Sequence, residues 1–587
     1  MSPCTTRWSP PHRWWLLALA ILGGHACAGS DDDAPADRAG DSGTIDASDG
    51  ASGASGASGN SSGRAGVGGR SAGSGGTASG RAGASGGGAG RAGGGGAAGK
   101  GGSGGAGGTG TAVDPELDRT VLVQLIPSAG VSGMQRINFA VPLAPGELDD
   151  PVQVRVLRDA QEQPAALRAL ALHADGSVRS VQIQLELALT GETAIEVQLG
   201  EAPTATALSM APVASTLVAE NGEQGPRVWA VLPATRLSAS GIAGPLLPEA
   251  DVASMPAAAW TAQCDYDRWN TDAFMSAGYE TDRAVWLFDR GTALYRGYAR
   301  RGDLATLRSA YVETSLYRNR ITGSGSAARN GTPDGGGEDV KYTYAQNLAL
   351  HYLLSGDDRF RDAAEDMGLA LSVLWSDPGY AGSSDFWTER HAGFGLLGFV
   401  WGMIASDDHS AELRALADEA VDAYLEMQAS YPPGYTDPDA RCFAHTGEAH
   451  GEGGEYFGCS PWMSAILADA LEQYARESEP ARAAAVRESL VQLGRIVAER
   501  GIQPDGRPYY FMGVGTDENM LDEYDEHIGE SAYLIAMAWH FSGSSDDALR
   551  AAADTLVERF GAEGSVPHVR SFNWQCRSAV AAPWFLR

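Results

Sequence analysis

The chain has 587 residues, 43% of them hydrophobic, and a formal net charge of −31. That is too long for one core, so more than one folded unit is expected. So acidic a chain, with no run of clustered Lys/Arg, argues against nucleic acid as a partner. It also argues against a strongly anionic ligand unless the binding cleft is locally basic.

Residues 1–28 read as an export signal. Arg7 and Arg13 precede the apolar run "WWLLALAILGG", which is too short and too early to span a membrane. Two exits fit. Ala26-Cys27-Ala28 obeys the small-x-small rule of ordinary cleavage, and Cys27 could equally be the lipidated first residue of a lipoprotein. Residues 29–113 are Gly/Ala/Ser-rich ("GASGASGNSSGRAGVGG"). Such a stretch cannot bury a core and reads as a disordered tether. The tether is close to neutral, so the negative charge belongs to the folded part. The chain is therefore expected to be exported, either anchored at the cell surface or outer membrane by lipid at Cys27 or secreted. No other membrane contact is expected.

Residues 114–240 carry a β pattern. "TVLVQLI", "VQVRVLR", "SVQIQLELAL", "TAIEVQLG" and "RVWAVLPAT" alternate or are β-branched, with turn signals such as "ADGSVRS" and "LTGET" between them. A barrel or sandwich is expected. Within it, "INFAVPLAPGELDDPVQVRVLRDAQEQPAALRALALHADGSVRSVQIQLEL" resembles the N-terminal RIFT-barrel domain of the exo-rhamnogalacturonan lyase-like family. The matching features are the opening "FAVPLAPGEL", the strand and turn "VRVLRDAQEQP", and "DGSVRS" before a long strand. The resemblance implies a RIFT-barrel fold and a polysaccharide context. It does not imply catalytic residues, because that domain does not carry the family's chemistry.

After a connecting segment, 241–280, residues 281–587 become helical and repetitive. Ten helices group as five hairpins with short internal turns at Gly302-Asp303, Gly356-Asp357, Asp407-Asp408, Glu479-Pro480 and Gly543-Ser544. The connections between hairpins are long. In an antiparallel array all long connections fall on one rim, where function is expected. The fold expected is multidomain α+β. An N-terminal β-barrel or sandwich is followed by an (α/α)5–6 toroid, the architecture of many polysaccharide lyases and glycoside hydrolases.

Candidate site residues cluster on the long-loop rim. Tyr344, Asn347 and His351 are spaced i, i+3, i+7 and share a helix face. In "FWTERHAGFG", Trp387 suits sugar stacking, Arg390 suits a uronate carboxylate, and His391 suits proton transfer. The loop "CFAHTGEAHGEGGEYFGCSPWM" adds His445, Glu448, His450, Glu452, Glu455, Tyr456 and Trp462. It lacks HExxH or CxxC spacing, so acid–base chemistry is preferred over a metal at His445, His450 and Glu452. No cofactor is expected, with Ca²⁺ or Zn²⁺ as the minority alternative. Ser460 reads as a helix cap with Pro461 at the first position. The last loop adds Tyr509, Tyr510, His527 and the acids Asp522 and Glu523. The first long loop adds Glu338, Asp339 and Lys341. Four cysteines remain past the signal, and the pairing favoured is Cys442–Cys459 with Cys264–Cys576.

These residue types fit β-elimination at a uronate. That reaction needs a carboxylate neutraliser (Arg390, Asn347), a base (His391, His450) and an acid (Tyr344, Tyr456). Trp387, Glu452, Glu455, Trp462, Tyr509, Tyr510 and His527 would bind the glycan. The chain is thus expected to be an exported, monomeric polysaccharide lyase. The alternatives are an inverting glycoside hydrolase with a carboxyl pair and a non-catalytic glycan-binding surface lipoprotein.

Overall fold

The structure is a computed structural model. It describes residues 119–587 except 256, 262, 377–387, 431, 433, 438–440, 447–455, 522–526, 563–565 and 567. The signal, the tether, Cys27, Trp387, Glu448, His450, Glu452, Glu455, Asp522 and Glu523 lie outside the described residues.

Among the described residues, eight strands come first: β1 (Thr120–Pro127), β2 (Gly133–Pro142), β3 (Val154–Arg158), β4 (Gln161–Glu162), β5 (Ala165–Leu172), β6 (Val178–Leu189), β7 (Thr193–Leu199) and β8 (Val228–Val231). They form two antiparallel sheets, ordered β4-β3-β7-β1-β8 and β2-β6-β5. Alternation supplies the core between them: Val121, Val123 and Leu125 of β1 and Val181, Ile183 and Leu185 of β6 are buried. The other face of β6 is polar, yet Ser180, Gln182 and Gln184 are buried as well. That face packs on the helical unit, and its hydrogen bonds explain why it tolerates burial. Ser180 Oγ donates to Leu353 O (2.6 Å) and Asn138 Nδ2 to Ser355 O (2.7 Å), which supplies donors to carbonyls at a helix C-terminus.

Among the described residues, eleven helices of ten or more residues follow: α1 (Arg290–Arg301), α2 (Leu304–Arg320), α3 (Gln346–Ser355), α4 (Asp358–Leu374), α5 (Glu389–Ala405), α6 (Ser410–Ser430), α7 (Pro461–Arg476), α8 (Pro480–Arg500), α9 (Ile528–Phe541), α10 (Asp547–Ala562) and α11 (Val569–Ser578). Helices α1, α3, α5, α7, α9 and α11 each pack on the next, and α11 packs on α1. This closes a six-membered inner ring, with α2, α4, α6, α8 and α10 outside it.

The five hairpins expected from sequence therefore omit one inner helix. α11 supplies it, and its outer partner comes from the other end of the helical unit. The short helix Ala258–Thr261 packs on α10, and the short helix Thr271–Ser276 packs on α2. Trp260 Nε1 donates to Ala579 O (2.7 Å), and the disulfide Cys264–Cys576 locks the closure. Cys442–Cys459 is also formed. Two such bonds belong to an oxidising compartment outside the cytoplasm. Among the described residues no helix is long and apolar enough to cross a membrane.

The short turns after α1, α3 and α7 meet the β unit. Gly302, at φ +60°, has no room for a Cβ, which would stand 2.5 Å from Ala234 N. Arg168 meets Asp358 (3.0 Å) and Arg179 meets Glu477 (2.7 Å) across the same junction. The β unit thus covers the short-turn rim and leaves chemistry to the opposite rim, where the inner helices begin.

Candidate active site

Two of the expected helix starts are displaced, and both displacements shape the site. The run 282–301 is not one helix. Phe288 and Asp289 both adopt left-handed backbone (φ +69° and +55°) before α1, a conformation that is costly for residues with a Cβ and concentrates at functional sites. The kink aims the Phe288 ring across the ring mouth. It also makes Asp289 the cap of α1: its carboxylate accepts from Thr292 N (3.2 Å), Thr292 Oγ1 (2.7 Å) and Asn347 Nδ2 (2.6 Å). Burial raises the Asp289 pKa, and the charge of Arg577 opposes the rise.

Tyr344 precedes α3 instead of sitting on it. Its buried hydroxyl lies 2.6 Å from Lys341 O and 3.1 Å from Trp286 O. With those carbonyls as acceptors it ties two chain segments together, and burial raises its pKa well above the ordinary value. Asn347 and His351 face α1, where His351 Nδ1 meets Tyr295 OH (2.8 Å) and its ring stacks on Phe360. This stripe forms the seam between α1 and α3.

The start of α5 holds three adjacent functional groups. His391 Nδ1 lies 2.6 Å from Thr388 Oγ1, and Nε2 is 3.9 Å from Asp339 Oδ1. Burial, with Arg390 and Lys341 adding, holds the imidazole well below its usual pKa, so it is neutral. Glu389 is fully buried. Its Oε1 accepts from Ser460 N (2.9 Å) and Ser464 Oγ (3.4 Å), and Oε2 lies 3.2 Å from His445 Nδ1. Burial raises Glu389 to about 8 and lowers His445 to about 3, so the two meet uncharged at neutral pH.

Trp462, the second residue of α7, is the hub. The Arg390 guanidinium lies 5.7 Å over its ring, His527 stacks on it at 4.4 Å, and Tyr510 and Phe288 stand at 5.8 and 5.7 Å. His527 continues to Trp574 of α11 at 5.1 Å, and its Nδ1 lies 3.5 Å from Glu530 Oε1. Four elements from distant parts of the chain thus place an arginine, a histidine backed by a carboxylate, and a tyrosine around one indole. Among them sequence reasoning missed Phe288, Glu530 and Trp574. Only Glu530 left a signal, the i, i+3 spacing from His527 in "HIGE".

The disulfide-bounded loop is anchored at both ends. Its flanks form β9 (His445–Thr446) and β10 (Phe457–Cys459), which join β11 (Tyr509–Gly513) and β12 (Asn519–Leu521) in one antiparallel sheet. Along β11 the side chains diverge. Phe511 meets His445 and Tyr456 (5.2 and 5.7 Å), whereas Tyr510 meets Trp462 and His527. Of the two neighbouring tyrosines, Tyr510 reaches the hub and Tyr509 does not. Ser460 makes no side-chain cap to α7, and its hydroxyl donates instead to Tyr510 O (2.7 Å). Among the described residues no three His, Cys, Asp or Glu side chains group as metal ligands.

No protein-family model matches the chain, and no curated protein matches it. The likeness to the exo-rhamnogalacturonan lyase-like family rests on the quoted residues alone. A solved structure titled glycosyl hydrolase family 88, from Bacteroides vulgatus, is similar over 55% of this chain and 97% of that one, at 12% identity and a TM-score of 0.37. At that level of likeness no chemistry transfers from it.

Proposed function

We propose that the chain is an exported enzyme of acidic polysaccharides that cleaves beside a uronate by β-elimination. The observation that carries this reading is the meeting of Arg390, His527 and Tyr510 around Trp462. Arg390 neutralises the sugar carboxylate, which acidifies the proton on C5. His527, with Glu530 behind it, removes that proton. The electrons form the C4–C5 double bond as the C4–O bond breaks, and the Tyr510 hydroxyl protonates the departing oxygen. Asn347 and His391 support the same site from α3 and α5. Trp387, His450, Glu452, Glu455 and Tyr456 remain proposed contacts from the rim loops. Residues 1–28 direct export, with Cys27 either lipidated or lost with the signal, and residues 29–113 tether the folded part.

A hydrolase is the second reading. Three buried carboxyls favour it, Asp289, Glu389 and Glu530, each beside the start of a different inner helix. Glu389 also keeps its proton to about 8, as a general acid must.

Incubation with a panel of acidic polysaccharides separates the readings. Elimination gives an ultraviolet-absorbing unsaturated uronate, and replacing His527 by Ala or Tyr510 by Phe should cut its rate about 10²–10⁴-fold. New reducing ends without that absorbance would move the assignment to hydrolysis. Glycan binding with no product would leave a binding protein.

A further inference from the structure

Several basic side chains stand at the ring mouth of this acidic chain, beside the carboxylates Asp339 and Glu530. Tyr342, buried just before α3, lies beside Asp339 and within the fields of three arginines from separate parts of the sequence. Arg283 precedes α1, Arg390 lies in the first turn of α5, and Arg570 lies in the first turn of α11. The Arg283 guanidinium stands 5.7 Å over the Tyr342 ring, Arg390 5.7 Å over Trp462, and Arg570 5.1 Å over Trp574. Arg283 and Arg570 are half-buried, so both stay within reach of a ligand. Lys341 lies at the same place, 3.5 Å from Asp339.

A second observation is independent of charge. The indole N–H groups of Trp462 and Trp574 are both buried without a hydrogen-bond acceptor. A buried donor left unpaired is costly, and these two flank the same His527 ring. The N-termini of the inner helices also converge here and favour negative charge.

We propose that Arg283, Arg390 and Arg570 form one carboxylate-binding subsite for an acidic sugar, with the Trp462 and Trp574 indole N–H groups as further donors. Planar guanidinium forks suit a carboxylate, and the aromatic rings around them suit the faces of a pyranose. The subsite deepens the elimination reading and rests on it for the substrate, because it fixes the uronate whose C5 proton His527 would remove. Arg283 and Arg570 are its specificity-determining members, and neither takes part in the proton transfers.

The probes are galacturonate and glucuronate oligosaccharides, their methyl esters, and neutral galactose oligosaccharides, with binding read by calorimetry on the full chain. An acid oligosaccharide should bind on the order of tenfold or more tighter than its ester. Arg283→Ala and Arg570→Ala should each remove most of that preference, while Arg283→Lys and Arg570→Lys retain part of it. Unaltered melting temperatures in the Lys variants check folding. Equal binding of acid and ester, binding of neither, or Ala variants that keep the preference would overturn the subsite. The elimination assay on the same preparations separates the two proposals. Acid-selective binding without unsaturated product sinks elimination and leaves the subsite standing. Elimination that proceeds equally on esterified substrate does the reverse.

Discussion

Glu389 and His445 have opposite pKa shifts, and their stability effects oppose each other over part of the pH range. Glu389 titrates near 8 folded against 4.5 unfolded, so the folded state holds an extra proton between those values and stability falls as pH rises through them. His445 titrates near 3 folded against 6.5 unfolded, so stability rises with pH across that interval. The two slopes cancel between the unfolded values. What remains is a rise at acid pH below the Glu389 unfolded value and a fall from the His445 unfolded value up to the Glu389 folded value. Glu389→Gln keeps the shape and the acceptor for Ser460 N, so a melting-temperature profile should lose the fall and keep a continuous rise to the His445 unfolded value. A variant profile that overlays the wild type would show that the pair does not titrate this way. The sequence showed Arg390, His391 and His527 as chemistry-bearing residues. It could not show Glu389, because a glutamate in the first turn of a helix reads as an ordinary dipole partner until its burial is known.

Helix starts set the site at the scale of elements. Asp289 caps α1 from a left-handed backbone and also holds Asn347. Asp289→Ala should destabilise the chain by about 1–2 kcal/mol through the lost cap alone, and more because Asn347 loses its acceptor in the interior. Chemical denaturation reads the change. A loss under about half a kcal/mol would mean that the cap is dispensable. Strand and hairpin periodicity located β1, β3, β6, β7, β8 and the ten hairpin helices well. The helix starts at Phe288 and Tyr344 were not legible, because the backbone there is fixed by aromatic contacts across the ring. α11 was missed for a related reason: Asn573, Gln575 and Arg577 are polar residues that read as solvated, yet all are buried. Arg577 pairs with Asp469 of α7 (2.9 Å) and with Gln346 of α3 (2.6 Å).

The whole molecule is a helical ring closed on one rim by two sheets and along one seam by a disulfide. Cys264 and Cys576 are 312 residues apart, whereas Cys442 and Cys459 are 17 apart. If loop entropy governs, replacing the first pair by serine should cost about 6 kcal/mol and the second about 3 kcal/mol. The longer-range variant should also melt at the lower temperature in calorimetry. The reverse order would mean that the ring closes without its staple. The sequence by itself determined the order of β and helical units, the short and long connections that make the two rims unlike, and the rim on which polar and aromatic groups gather. These are set by local periodicity, turn chemistry and residue type. Tertiary structure alone decided which groups meet: the sixth inner helix that closes the ring, the buried polar face of β6, and the gathering of Arg390, His527, Tyr510 and Trp574 around Trp462. Those contacts join residues tens to hundreds of positions apart, and only ring closure brings them within a few ångströms.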